Sequence, residues 1–276
     1  MIDFHTHSTE SDGTCTPSEL IDLAVLKGID TIALTDHDTC AGLMEAQKRA
    51  EKHGIRFIPG IELEIQFKPG EFHLLGLNIT KWESVMEQPL KEVMIKRNER
   101  NLQMIRLIND SGIEMTYEEV IDEAHGEVIG RPHFASLLVK KKIVKNTIKA
   151  FEKYLASGRP FHIEKEALTL EEGVKLIKEA GGHPVIAHPM SLFLSWGKFP
   201  ERLKSWQELG VEGIEVWHSG SKLKNCIRLE QIADELGFFK TGGSDFHGDN
   251  RKDRPLGLGA GGKEIPLDPS IPFLKW

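Results

Sequence analysis

Cysteine is nearly missing from this chain, and the little there is excludes two chemistries. Cys15, Cys40 and Cys226 are odd in number and never in CxxC spacing, so neither a disulfide framework nor a thiolate zinc site is indicated. A reducing compartment fits. Excess positive charge is lacking too: 35 Lys and Arg against 42 Asp and Glu leave a net charge of -7 and a pI near 6.0. That argues against a generally basic nucleic-acid-binding surface but leaves a local basic face open. No apolar run approaches bilayer-spanning length, and Met1 leads directly into a strand rather than into a basic region followed by an apolar one. The expectation is a cytoplasmic protein with no membrane association and no evident obligate protein partner. Internal repeats, low-complexity tracts and a recognisable Ser or Cys nucleophile motif are also absent.

What is present starts at Asp3-Phe4-His5-Thr6-His7, with Asp12 close behind. In an extended strand Ile2, Phe4 and Thr6 face one way and Asp3, His5 and His7 the other, which sets two imidazoles side by side. With a carboxylate nearby this reads as half of a metal site. An HxH pair alone fits a polar edge strand better, so the rest of the chain decides.

Thr16-Pro17-Ser18-Glu19 has a capping Thr, a Pro at the first helical position and a Glu three residues after the cap, and predicts a helix ending near Gly28. A strand at 31–34 empties into Thr35-Asp36-His37-Asp38, and a second helix runs to about Gly54. A strand over 56–62, a Pro69-Gly70 turn and an antiparallel return over 71–77 follow. From Trp82 to Tyr154 the periodicity is helical, with turns at 110–112, at Gly126 and at Gly130-Arg131-Pro132. Strands resume at 183–187, 212–217 and 238–241. With 39% hydrophobic residues over 276 positions there is enough apolar material for a large core. The expected fold is α/β: a seven-stranded (β/α) barrel-like domain over 1–82 and 160–276, interrupted by a helical insertion over 83–159.

Residue types that bind metals fall at the C-terminal ends of these strands: His37, Glu62, His73 within its strand, His188 in Ile-Ala-His-Pro, and Asp245 with His247 in Gly-Gly-Ser-Asp-Phe-His-Gly. That rim is where barrel active sites assemble. His53 and His125, by contrast, fall on predicted helices. Each rim residue alone has an ordinary explanation, such as a core histidine at His73 or a turn-forming Asp12 before Gly13, but together they require many coincidences. Spacing leaves Glu62 and Glu64 equivalent, since both lie on one strand face.

In this order HTHSTESDGT, TDHD, GIE, FHLLGL, IAHP and GSDFH resemble the PHP (polymerase and histidinol phosphatase) superfamily, from the first strand to about Gly259. Gly130-Arg131-Pro132-His133 within a helical insertion is similar to the stand-alone bacterial branch of nucleoside 3',5'-bisphosphate phosphatases and 5'-3' exoribonucleases. The resemblance implies a distorted seven-stranded (β/α) barrel holding three divalent ions, Mn2+ ahead of Zn2+ or Fe2+. It assigns His5, His7, Glu62 and Asp245 to one ion, Glu62 with His73 and His188 to a second, and Asp12, His37 and His247 to a third. It also selects Glu62 over Glu64, where the family more often has a small polar residue. The extra carboxylate is either solvated at the rim or unfavourable to an anionic substrate.

Clustered divalent ions acidify water and neutralise charge on phosphoryl oxygens, so the expected reaction is phosphate ester hydrolysis by a metal-bound hydroxide, with Glu62, Asp245 and His188 in catalytic positions. Asp3, Asp36 and Asp38 are candidates to hold ring N–H groups. Arg131 and His133 are the candidate substrate-binding residues, because a guanidinium grips phosphate with two parallel hydrogen bonds. Lys96, Arg97, Arg100, Lys140, Lys141, Lys142 and Lys145 could guide a nucleic-acid backbone, though for most of them a solvated helix face is the better expectation. The expected substrate is a nucleotide or short RNA. The alternatives are histidinol phosphate or another small phosphomonoester, and a non-catalytic PHP interaction module.

Overall fold

Strands and helices alternate from the first residues in a computed structural model that describes residues 1–124, 128–164 and 166–274. The turn expected at Gly126 and the helical placement of His125 lie outside the described residues. β1 (Ile2–Asp3) leads to α1 (Pro17–Leu26), which begins where expected because Thr16 accepts from the Glu19 N–H while the Glu19 carboxylate accepts from the Thr16 N–H. β2 (Thr31–Leu34), α2 (Leu43–His53) and β3 (Arg56–Ile65) follow. β4 (Phe72–Leu77) then returns antiparallel to β3.

Helices occupy the stretch after β4: α3 (Trp82–Val85), α4 (Glu87–Asp110), α5 (Tyr117–Ala124), α6 (Arg131–Lys140) and α7 (Thr147–Ala150), the last continued by a π turn at Phe151–Leu155. The βα alternation resumes with α8 (Leu170–Glu179), β5 (His183–Ile186), α9 (Phe199–Glu208), β6 (Gly213–His218), α10 (Leu223–Leu236) and β7 (Phe239–Gly243). The seven strands lie in chain order, antiparallel on both sides of β4 and parallel elsewhere. Bonds from the Phe4 N–H to the Gly242 carbonyl (3.2 Å) and from the His7 N–H to the Phe246 carbonyl (2.9 Å) join the first and last edges into a nearly closed barrel.

Side-chain alternation sorts the strands into two faces. Ile61, Leu63 and Ile65 of β3 and Phe72 and Leu74 of β4 pack outward against the helix layer, with Val174 and Ile177 of α8. Ile58, Leu75, Leu77, Val185 and Phe239 fill the interior together with Ile2 and Phe4. The C-terminal segment closes that interior: Ile271 and Phe273 join the same cluster, and the Phe273 ring meets Phe4 edge-on at 6.1 Å. Another apolar cluster, including Met104, Ile108, Val120, Phe134, Leu138 and Phe161, lies among α4 to α7 and the π turn.

β1 departs from the simple strand expected of it. The chain bends at Phe4, so His5 and His7 turn to the inner rim while Asp3 does not share their face. Its carboxylate instead accepts from the Ser244 N–H (3.0 Å), the Ser244 hydroxyl (2.5 Å) and the Gly257 N–H (2.8 Å). The bend is forced by barrel closure, because the segment must pair with the chain beyond β7. If Phe273 plugs the barrel as this packing indicates, Phe273→Ala should cost about 3 kcal/mol or more. Urea unfolding checks it; a midpoint equal to that of the parent would exclude a role for the plug in stability.

Candidate metal centre

At the inner rim β3 presents Glu62, fully buried and held by its backbone, since the Glu62 N–H donates to the Asp36 carbonyl and its carbonyl accepts from the Asp38 N–H. Imidazoles surround this carboxylate. Oε1 lies 2.9 Å from His73 Nδ1 and 2.9 Å from His188 Nε2, while Oε2 lies 3.2 Å from His5 Nε2, 3.2 Å from His7 Nε2 and 3.1 Å from His37 Nδ1. His73 reaches the same rim from the start of β4 because that strand runs antiparallel, opposite Glu64 in register. Asp12, Asp245 and His247 complete the ring: His247 Nε2 is 3.1 Å from Asp12 Oδ1, and His7 Nε2 is 3.2 Å from Asp245 Oδ1.

The hydrogen-bond chemistry of this set calls for cations. His247 Nδ1 donates to the Asp245 carbonyl at 2.8 Å, and burial lowers the pKa of this imidazole, so its neutral form turns a bare Nε2 toward Asp12 Oδ1. Asp12 Oδ1 is buried without a hydrogen-bond partner, as are Glu62 Oε2 and His7 Nδ1. His188 repeats the pattern. Its Nδ1 lies 2.9 Å from the Ser191 hydroxyl, whose own hydrogen goes to a carbonyl, and burial drops its pKa to about 4, leaving Nε2 with a lone pair aimed at Glu62. Lone pairs facing one another at such distances are repulsive unless a positive ion lies among them.

Four groups with donor atoms close enough to share an ion form among the described residues: His7, Asp12, His37 and His247; His5, His7 and Asp245; His5, Glu62 and His188; and His37, Glu62 and His73. All the ligands expected from the sequence are therefore brought together. The partition differs from the expected one, because His7 also stands with the Asp12 group and His188 with His5. The backbone turns at the same place: His188 (φ 26°) and Asp245 (φ 54°) have positive φ, uncommon outside glycine though more often met in Asp and His than in other residues.

Sequence reasoning missed the residues behind this ring. His5 Nδ1 is 3.0 Å from Glu215 Oε1, and Glu215 Oε2 accepts from the His188 N–H at 2.6 Å, so one buried carboxylate on β6 positions both histidines. Burial disfavours the imidazolium of His5, yet Glu62 and Glu215 push its pKa up to about 10, while burial is likewise overcome at Glu215, which falls to about 2. Gly243 makes this approach feasible: a Cβ there would lie 2.2 Å from His5 Cβ and 2.7 Å from Glu215 Oε1. His218 accepts from the Gly220 N–H on Nδ1, so its Nε2 carries the hydrogen and donates to Asp245 Oδ2 at 3.2 Å; Arg254 also pairs with Asp245. A signal existed for Glu215, since Gly213-Ile214-Glu215 repeats Gly60-Ile61-Glu62, and His218 ends a strand at the rim.

The expected ring partners Asp3, Asp36 and Asp38 do not serve. Asp36 takes the Ser8 N–H, the Ser8 hydroxyl and the Ser11 hydroxyl, and Asp38 pairs with Arg97 and accepts from the Glu64 N–H. These carboxylates are taken up by hydroxyls, backbone N–H groups and a guanidinium brought to them by the fold, not by an imidazole.

A cavity of about 410 Å3 opens above the ring, walled on the far side by Arg97 of α4, Arg131 of α6 and Phe151 of the π turn. Arg131 donates to Glu71 at 3.0 Å. His133, only 6% exposed, is not on that wall: its Nδ1 accepts from the Gly130 N–H at 3.1 Å and caps α6. Arg100 is buried and Arg97 half-buried rather than spread on a solvated face, and Glu64 lies 3.8 Å from Arg97. Burial together with Arg97 lowers Arg100 to about 10. Lys96 and Lys145 are exposed as expected.

A model of the PHP domain matches residues 3–164. The chain belongs to the PHP family. It is 35% identical over 257 residues to a 3',5'-nucleoside bisphosphate phosphatase of Chromobacterium violaceum, covering 93% of this chain and 90% of that one. It is 33% identical over 249 residues to a 5'-3' exoribonuclease of Haemophilus influenzae, covering 89% of each. Among solved structures it resembles an amidohydrolase of C. violaceum with bound sulfate and no metal, at a TM-score of 0.85 and 33% identity over 98% of this chain and 92% of that chain. This PHP protein is a metal-dependent phosphoesterase, and no helix among its described residues is long and apolar enough to cross a membrane.

Because Glu215 orients His5 and His188 without facing the cavity, Glu215→Gln should weaken Mn2+ binding by about 10- to 100-fold, the usual cost of losing a residue that orients a ligand. Calorimetric titration reads this out, and an unchanged isotherm would remove Glu215 from that role.

Proposed function

We propose that the protein hydrolyses phosphate esters of nucleotides, acting as a 3'-phosphatase on nucleoside 3',5'-bisphosphates, a 5'-3' exoribonuclease on short 5'-phosphorylated RNA, or both, in the cytoplasm. The observation that carries this reading is the two-sided cavity: a ring of metal-binding residues on the barrel faces Arg97 and Arg131 on the helices after β4. A substrate with one charged group at the ring and another at the guanidinium wall fits both. The division of labour we infer has the barrel over 1–82 and 160–276 holding the metals, and the insertion over 83–159 holding the rest of the substrate. The relatives named above support the nucleotide class.

We assign His5, His7, Asp12, His37, Glu62, His73, His188, Asp245 and His247 as ligands of three ions, Mn2+ first, with Glu62 shared. Bound divalent ions would acidify a water and neutralise charge on the phosphoryl oxygens. The chain's own contribution is placement. Glu62, Asp245 and His188 fix the reacting end, Glu215 and Ser191 hold the His5 and His188 rings, and Arg131 grips the second charged group once Glu71, 61% exposed, gives way.

His5 keeps its extra proton up to about pH 10 through Glu62 and Glu215, so a metal arriving below that pH must displace the proton, and affinity rises with pH. Titration of metal-free protein with Mn2+ at about pH 8 in buffers of contrasting ionisation enthalpy should show about three ions bound and at least about one proton released per chain. A stoichiometry of one ion, or no proton released, would contradict the assignment. Chelation should abolish all phosphoesterase turnover.

Arg131→Ala should leave metal content intact while lowering kcat/KM for adenosine 3',5'-bisphosphate by about ten- to a thousand-fold, the loss of one charge-assisted phosphate contact. AMP and histidinol phosphate should suffer much less. If histidinol phosphate is the best substrate, or the loss is equal for all three, the nucleotide reading is wrong.

A further inference from the structure

The outer surface of the helices after β4 reverses the charge of the protein as a whole. Between positions 140 and 153 stand Lys140, Lys141, Lys142, Lys145, Lys149 and Lys153, with Glu152 as the only acidic residue. Lys140 and Lys141 are engaged by Glu123 (2.5 Å) and Glu119 (2.6 Å), and Lys149 by Glu152. Lys142, Lys145 and Lys153 have no carboxylate partner among the described residues. With Lys149 and its partner Glu152 they border a groove of about 750 Å3 whose floor is apolar: Val139, Ile143 and Val144. Lys142 has φ 60° just past the end of α6, a place where glycine is the usual occupant, so a lysine stands there at a conformational cost.

This groove and the catalytic cavity share one helical segment. Phe151 lines the cavity, whereas Lys149 and Lys153, two residues to either side, line the groove. Residues two apart point to opposite sides of a helix, so the two concavities are separated by about one helix diameter, ~10 Å.

We propose that the lysine groove is a docking track for the backbone of single-stranded RNA whose phosphorylated end lies in the cavity. The inference rests on the nucleotide reading above and extends it from the reacting end to the body of a polymer. Four ammonium groups of which only Lys149 has a counter-carboxylate, Glu152, suit a phosphate backbone, and an apolar floor suits sugars and bases with no sequence preference. A mononucleotide in the cavity is too short to reach the groove. The lysines therefore bear on polymers alone.

The test compares the full-length protein with a variant carrying Lys142→Gln, Lys145→Gln, Lys149→Gln and Lys153→Gln, all at exposed positions where folding is undemanding. Binding of a fluorescent 5'-phosphorylated RNA of about twelve nucleotides to the metal-free proteins is followed by anisotropy across salt concentrations. Parent affinity should fall with salt, and the variant should lose about 0.7 of the logarithmic slope per lysine, about three in all, and bind about ten-fold or more weakly at low salt. Turnover of adenosine 3',5'-bisphosphate by the manganese-loaded forms should agree within about two-fold, since the groove does not touch the reacting group. Equal affinity and slope in parent and variant would overturn the proposal. So would a polyglutamate peptide that displaces the RNA from the parent at equal charge concentration, which would make this a surface for acidic protein. If the parent shows the slope but hydrolyses neither nucleotide nor RNA, the catalytic reading fails and the groove stands.

Discussion

A carboxylate sealed from water at the rim of a barrel must be neutralised, and most of this structure's functional half follows from where Glu62 is put. Burial alone would drive it to protonate. Its neighbours prevent that: five imidazoles lie within 3.2 Å of its two oxygens, and they hold its pKa well below the usual carboxylate range despite the burial. Imidazoles are weak and conditional counter-ions, however. His37, His188 and His247 are kept neutral by their own burial, so the positive charge available from side chains falls short of what the carboxylates require. Metal ions would supply the difference, and the orphaned atoms Asp12 Oδ1 and Glu62 Oε2 lie within the groups of residues able to hold them.

Getting so many histidines to one point is a problem of topology before it is one of chemistry. A parallel barrel offers only strand ends at its active rim. Reversing β4 lets a residue at a strand beginning, His73, join them directly across from Glu64. Elsewhere the backbone yields: left-handed conformations at Asp38, His188 and Asp245 redirect the chain where an extended exit would carry the ligands past the ring. Packing finishes the task, since the absence of a side chain at Gly243 lets His5 settle against Glu215.

The rim residues were legible in the sequence because they obey two rules at once, metal-binding type and position at a strand end. Seven strands and the antiparallel return were legible through turn signals and alternation. What could not be read were contacts set by long-range closure. Asp3 shares its expected face with His5 only if β1 stays extended, and pairing with the segment after β7 bends it. Glu215 repeats the tripeptide that marks Glu62, but nothing local says that its partners are His5, 210 residues away, and His188. Arg97 and Arg100 look like a charged helix face; Arg97 instead pairs with Asp38 and lies near Glu64, both from the barrel, and Arg100 donates to its neighbour Asn101. Arg254 follows β7 in an irregular stretch, where periodicity carries no information.

Arginine and lysine divide the positive charge of this acidic protein according to burial. Arg97, Arg100, Arg131 and Arg254 are largely buried at or beside the cavity, and three of them touch carboxylates of the barrel or its β3–β4 connection. A guanidinium tolerates that, being weakly hydrated and still charged when desolvated. An ammonium in the same place would lose its proton or its hydration, and the lysines between positions 140 and 153 stay on the surface accordingly. The consequence for an anionic substrate is a graded field. Solvated lysines are screened by salt, while the arginines beside the cavity are already paired with acids, Arg97 with Asp38, Arg131 with Glu71 and Arg254 with Asp245. Glu64, a poor feature for anion binding when viewed alone, stands 3.8 Å from Arg97 and adds to Asp38, the nearer carboxylate, in keeping that guanidinium charged against its burial.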